Sequence, residues 1–214
     1  MNEKRLLTPL DAAASEADDF YASYPLREWT LLKKMKEMTA SKICGDICST
    51  RITWQRAKKL ASTEEVFLFQ TLPWLLDAAW ILADSPLKQV HIEQVPGRNN
   101  LFALAMFENG TASEIEMNEC LPDSMPSTYF IKANYTNGHL TNQPLVGHFN
   151  EEGSILADDE SCKKLIVENP ELGAFEDQID ICVESMKYQI KEGKYPTGPL
   201  NSKTIIGRIM EALS

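Results

Sequence analysis

Thr71–Ala83, TLPWLLDAAWILA, and the stretch that follows at 88–118, KQVHIEQVPGRNNLFALAMFENGTASEIEMN, decide how this chain is read. The first is densely apolar and carries Pro73. Proline has no amide to give a helix interior but fits a first turn. The pattern therefore predicts a strand or loop from Val66 to Leu72 and a helix from Pro73 to about Ala83, ended by Asp84-Ser85-Pro86. The second stretch reads as short strands. Val90–Val95 runs to Pro96-Gly97, and Leu101–Phe107 runs to Asn109-Gly110, a two-residue hairpin signal because both residues tolerate positive φ. In Ala112–Asn118, Ile115 and Met117 alternate inward against Glu114, Glu116 and Asn118 outward.

The same pattern continues on both sides. Downstream, Leu121–Pro126 reads as a loop, Tyr129–Tyr135 as a strand and Asn137-Gly138 as its turn, with two more short candidates around Leu145–Phe149 and Ser154–Leu156. Leu172, Phe175, Ile179, Val183, Met186 and Ile190 then recur at helical spacing up to Gly193, and Ile205, Ile206, Ile209, Met210 and Leu213 mark a last helix. Upstream, Leu26, Trp29, Leu32, Met35 and Met38 form one apolar helical stripe that begins at Pro25, and Ser41–Trp54 reads as a strand. Residues 1–24 are polar and alanine-rich and read as an arm or short helix. The expected organisation is an arm over 1–24 and one α+β domain over 25–214, an open, predominantly antiparallel sheet with helices on one face.

Composition excludes several functions. The 214 residues, 43% hydrophobic and 24% charged, suffice for one core without disulfides or metal. A formal charge of −10 opposes nucleic acid and anionic membranes, which reward cationic surface. Apolar runs fall short of the roughly 20 residues of a membrane span. The start, MNEKRLLTPLDAAASEADDF, lacks the apolar core of a secretory signal. Five cysteines, with Cys44 and Cys48 in an expected strand interior, fit no zinc or disulfide framework, so a cytoplasmic location with reduced thiols is expected.

Four segments taken in order resemble the C-terminal domain of the Gfo/Idh/MocA oxidoreductases. They are EWTLLKKMKEMTASKICGDICSTRITW, TLPWLLDAAWILA, FALAMFENGTASEIE and ELGAFEDQIDICVESMKYQIKEGKYPTG, spread over 25–214. The resemblance implies an antiparallel sheet, a helix bearing His-x-x-Asp, and dimerisation through the exposed sheet face. The family also has an N-terminal Rossmann domain that holds NAD or NADP on a Gly-rich turn. Here no two glycines have that spacing, the Glu-Lys-Pro motif has no counterpart, and alignment on Asp77 puts Trp74 in the histidine's place. An indole donates a hydrogen bond but takes up no proton near neutral pH.

The resemblance therefore leaves Asp77 as the one catalytic candidate, with no cofactor expected on this chain unless another chain or domain supplies NAD(P). Candidate ligand-binding residues are Trp74 and Asp77 on the helix, Arg98 and Asn100 in the second polar cluster, and Tyr135, His139, Asn142 and His148 in the amide-rich stretch 134–150. Amides suit sugar hydroxyls because each offers a donor and an acceptor, and they equally suit turns. The expected function is a non-catalytic ligand-binding or oligomerisation module that forms a homodimer. The alternative is an oxidoreductase subunit acting on sugar- or inositol-type substrates with a Rossmann domain on a separate chain.

Overall fold

The structure, a computed structural model, describes residues 4–42, 44–125, 127–142, 154–159, 164–168 and 175–214. The strand expected around Leu145–Phe149 and the candidate His148 lie outside the described residues. An eight-stranded sheet forms the centre, in the order β10-β9-β8-β7-β3-β6-β5-β4. Its strands are β3 (Ile47–Ala57), β4 (Leu87–Gln94), β5 (Asn100–Phe107), β6 (Ala112–Leu121), β7 (Thr128–Tyr135), β8 (Gly138–Thr141), β9 (Ser154–Asp159) and β10 (Lys164–Glu168). Every neighbouring pair is antiparallel except β3 and β6, which run parallel with Ile52 opposite Ile115. The fold is α+β, as the alternation of the strands requires.

Among the described residues, one face of the sheet is covered and the other is open. Ile52 and Trp54 of β3, Ile115 and Met117 of β6, Leu101 and Ala103 of β5 and Ile131 of β7 point to the covered face and are buried. Against them lie α2 (Thr30–Ala40) and α4 (Leu72–Ala83), with α6 (Ser202–Leu213) beside α4 and β4. The expected stripe Leu26, Trp29, Leu32, Met35 and Met38 is buried throughout. It starts in a 3₁₀ turn, Pro25–Glu28, and α2 proper begins at Thr30. Tyr129 sits edge-on between Trp29 and Trp54, at 4.5 and 6.0 Å, a geometry worth about 0.5–1.5 kcal/mol per pair beyond area burial. On the open face, Arg51 of β3 reaches across to Glu114 of β6 at 2.7 Å, and Phe102 and Leu104 of β5 stand exposed.

The helix over Pro73 differs from its sequence reading. It does not begin there: α3 (Glu64–Val66), a π turn over Phe67–Thr71 and α4 form one continuous helix of 20 residues, Glu64–Ala83. Thr63 caps its start by accepting from the Val66 amide. Pro73 is accommodated by the π turn instead of by an end. Proline has no N–H for the carbonyl four residues back, and its ring crowds that carbonyl. The turn before it widens, and the Leu72 amide bonds back five residues to Phe67. By length and composition this helix is apolar enough to cross a membrane, although Glu64, Glu65 and Asp77 interrupt its apolar run. It is mostly buried inside the protein and is its core helix.

The turns also shift. The β5–β6 loop closes as a three-residue turn with Gly110 at φ +88°, where a side chain would be strained, and Asn109 uses its amide to cap the Ala83 carbonyl of α4. Between β7 and β8 the two turn residues are Thr136 and Asn137, so Gly138 already belongs to β8 opposite Tyr135. That turn is stitched to the 44–46 loop by Thr136 and Asn137 amides. A Cβ on Gly45, at φ +84°, would collide with the Thr136 hydroxyl. Cys44 lies buried in that loop and Cys48 is exposed on β3, so the pair does not form the strand interior expected of it.

The segment expected as an arm contains β1 (Arg5–Leu7), α1 (Pro9–Ala14) and β2 (Phe20–Ala22). β1 and β2 are parallel, and Ala12, Phe20, Ala22 and Tyr24 belong to the same core as the large sheet. Gly198, near the other end of the chain, bridges Tyr21 of β2.

Candidate functional site

The Glu64–Ala83 helix places two different environments one turn apart. Asp77 is 2% exposed and closed in. Arg27 holds it in a two-pronged pair, Nε to Oδ2 and Nη2 to Oδ1, both at 2.7 Å, and Asn201 donates to Oδ1 at 2.9 Å. Burial alone would lower the Arg27 guanidinium, but the hydrogen bond and charge of Asp77 outweigh it and leave it raised. The phenol of Tyr24 stacks beneath Arg27 and bonds Ser202. Burial, with the Asp77 carboxylate nearby, pushes its pKa well up. Tyr195 closes the cluster by donating to the Ala22 carbonyl, and burial pushes its phenol up to about 12. Asp77 is thus an ionic knot joining the 3₁₀ turn, α4 and the start of α6.

Trp74, one turn earlier, faces a cavity of about 370 Å³. Its walls are Trp54 and Arg56 from the end of β3, Val66, Gln70, Thr71 and Trp74 from the helix, and Ile179 and Asp180 from α5 (Phe175–Lys191). The π turn contributes Gln70 and Thr71, and single π turns inside α-helices are frequent at functional sites. The Trp74 indole donates to the Ser23 carbonyl at 2.9 Å, which fixes the ring in the wall. Arg56 is fixed from behind by Glu119, fully buried, at 3.1 Å. The second oxygen of Glu119 accepts from the Ser62 amide and hydroxyl, both at 2.8 Å, and from Asn99 at 2.9 Å. The cavity therefore offers two indoles beside a guanidinium, a carboxylate, an amide and a hydroxyl.

Among the described residues, the candidates taken from the sequence do not meet in one place. Trp74 lines the cavity and Asp77 lies behind it. Arg98 is exposed in the β4–β5 turn, and Asn100 pairs with Asn118 at the start of β5. Tyr135 points to the covered face, where its hydroxyl meets Thr39, and burial pushes it up to about 12. His139 lies opposite Asn134, on the open face. Asn142 bonds the backbone of Ile131 and Tyr129 and so closes the end of β7. Arg56, Gln70, Thr71 and Asp180 were not singled out. They come from three separate elements and share no motif, and the proline at 73 was their one local signal.

The fit of a nicotinamide nucleotide is tested at the turn from β1 into α1, where a βα unit would seat a pyrophosphate. That turn is Thr8-Pro9. Pro9 offers no amide, the Thr8 hydroxyl is engaged with Asp11, and Asp11 puts a negative charge in the first helical turn. These residues do not fit the phosphates.

Neither a family model nor a curated protein sequence matches the chain. Solved structures do. The chain is similar to an oxidoreductase from Agrobacterium radiobacter, solved with NAD+, L-tartaric acid and magnesium, at TM-score 0.72 and 13% identity, over 98% of this chain and 70% of that one. It is similar to an inositol dehydrogenase homolog from Azotobacter vinelandii, solved with NADH and myo-inositol, at TM-score 0.61 and 13% identity, over 90% and 62%. A putative NADPH-dependent oxidoreductase from Desulfitobacterium hafniense gives 0.65 at 18% identity, over 91% and 61%. The fold is that of the C-terminal domain of Gfo/Idh/MocA-type oxidoreductases. The chain spans 61–70% of the length of these three structures.

Proposed function

We propose that this chain is a non-catalytic, ligand-binding member of the oxidoreductase-like fold, with the cavity between Trp54 and Trp74 as its site for a small polyhydroxylated compound. The observation that carries this reading is the contrast on the core helix. The carboxylate expected to work, Asp77, is committed to Arg27 and Asn201, while the position expected to hold a histidine, Trp74, supplies an aromatic wall. Indole faces pack against the C–H surface of a sugar or cyclitol, and Arg56, Gln70 and Asp180 supply donors and acceptors for its hydroxyls. Two of the similar oxidoreductases were solved with polyhydroxy compounds, tartaric acid and myo-inositol, which agrees with that ligand class. The open sheet face, with Phe102 and Leu104 exposed, supports a homodimer, and a cytoplasmic location is part of the same reading.

A second reading has one observation in its favour. The parallel β1–α1–β2 unit is the kind of element that builds nucleotide-binding sheets, so the chain would serve as the substrate side of an oxidoreductase whose NAD(P) site lies on a separate chain.

The test is thermal melting of the purified chain with sugars, sugar acids and inositols, and separately with NAD(H) and NADP(H). A compound bound only by the folded state and present at 100 times its Kd adds about 2.7 kcal/mol. A polyol that raises the melting temperature of the parent but not of Trp74→Ala supports the first reading. A nicotinamide nucleotide that stabilises the chain alone overturns it.

A further inference from the structure

We infer that the C-terminal end of the core helix borders a second binding site, for a free amino acid with an apolar side chain, separate from the cavity at Trp74. A cavity of about 570 Å³ lies there, larger than the 370 Å³ beside Trp74. It is bounded by the last turns of α2 and α4, the 42–46 loop, the start of β3 and the β5–β6 turn. Ile47 and Ile81, both half-buried against the core, give it apolar surface. Four charged residues line it: Lys36, Lys42, Asp46 and Asp84. Lys42 and Asp46 answer each other at 2.6 Å. The other two lysines of α2 are engaged elsewhere, Lys33 with Glu28 and Lys34 with Glu37. Among the described residues, Lys36 and Asp84 have no side-chain hydrogen bond or ion pair.

The cavity thus holds one cation and one anion without partners, beside apolar surface. A free amino acid matches all three: its carboxylate takes Lys36, its ammonium takes Asp84, and its side chain covers Ile47 and Ile81. A peptide carries those two charges at opposite ends of its chain and so offers only one of them here. The backbone gives an independent sign. Among the described residues, three that are not glycine have positive φ, and two of them, Lys42 at +57° and Asp84 at +48°, line this cavity. Asp84 ends α4 in the left-handed conformation, a place that ordinarily goes to glycine because it has no Cβ to strain. Residues held in that region cluster at functional sites. The chain keeps a carboxylate where glycine would be the more stable choice.

The experiment takes the full chain with L-leucine, L-methionine and L-phenylalanine as probes, read by calorimetry and thermal melting. N-acetyl-L-leucine and L-leucine methyl ester, each lacking one of the two charges, are the controls. At least one of the amino acids should bind one to one, and the two leucine derivatives at least tenfold more weakly than leucine. Asp84→Gly should melt no lower than the parent, since glycine relieves the left-handed residue, yet bind at least tenfold more weakly. Lys36→Met should keep the melt and lose affinity to the same extent. The proposal is overturned if none of the three amino acids binds. It is equally overturned if the derivatives bind as well as leucine, which would make the cavity an apolar groove only, or if Asp84→Gly keeps its affinity. Affinity lost in Trp74→Ala but kept in Asp84→Gly would place the amino acid in the other cavity and overturn it as well.

Discussion

Asp77 and Trp74 share a helix, a depth and a sheet, yet one is sealed and the other faces space. The difference comes from what each side chain meets. Asp77 meets a guanidinium whose geometry matches both of its oxygens, with Asn201 filling a remaining lone pair, so the site is complete without a ligand. Trp74 donates from one edge of its ring to the Ser23 carbonyl, and the π turn before Pro73 brings Gln70 and Thr71 into the same cavity wall. A helix can thus hold a structural charge and line a cavity one turn apart, because the first is closed by partners from elsewhere in the chain and the second lies where the helical ladder widens.

Removing Asp77 should break this comparison most severely. Asp77→Ala leaves the mostly buried Arg27 without its counter-charge, and such losses cost about 3–5 kcal/mol. Urea unfolding should show that drop, with Asp77→Asn milder. A variant that kept its stability but lost polyol binding would make the knot itself the site. Glu119→Gln comes next. An amide cannot accept from Arg56, Ser62 and Asn99 together, so about 2 kcal/mol should be lost. Polyol affinity, read by calorimetry, should fall with it as Arg56 is released.

Pro73→Ala sharpens the comparison from the other side. It restores an amide that can bond the carbonyl of Phe69, so stability should stay within about 1 kcal/mol of the parent. The affinity for the polyol should drop several-fold as the π turn closes, and unchanged affinity would remove the turn from the account. The smallest effect is alkaline. Burial holds the protons of Tyr135 and Tyr195 in the folded chain up to about 12, above the ordinary phenol value near 10. Their contribution is complete below pH 10 and is lost as pH rises through about 12. Tyr195→Phe should therefore flatten the upper end of a stability-against-pH curve.

The sheet was legible where its turns carry their own chemistry. Pro96-Gly97 and Asn109-Gly110 punctuate strands whose alternation is clean, and β4, β5 and β6 lie where that punctuation puts them. The turn before β8 was misplaced by one residue because Asn137-Gly138 has the better turn composition, while the pairing of Thr136 and Asn137 with the 44–46 loop, some 90 positions away, decides the matter. Pro73 misled for a similar reason: a proline that ends a helix and one that a π turn absorbs look identical in sequence. The site was the least legible part. The partners of Asp77 lie 50 and 124 residues from it, and the cavity joins β3, the core helix and α5 without any motif. The β1–α1–β2 unit is built of three-residue strands, too short for periodicity to register.

The parallel pairing of β3 with β6 bears on the order of assembly. β3 is the first strand of the large sheet to be synthesised, yet it lies between β6 and β7, with Thr50 beside both Ser113 and Ala133. Neither neighbour exists until 60 to 80 more residues have left the ribosome, whereas β4, β5 and β6 form a local meander that can close on itself. The nascent chain must therefore carry β3 without its sheet neighbours until the meander and β7 arrive to close around it.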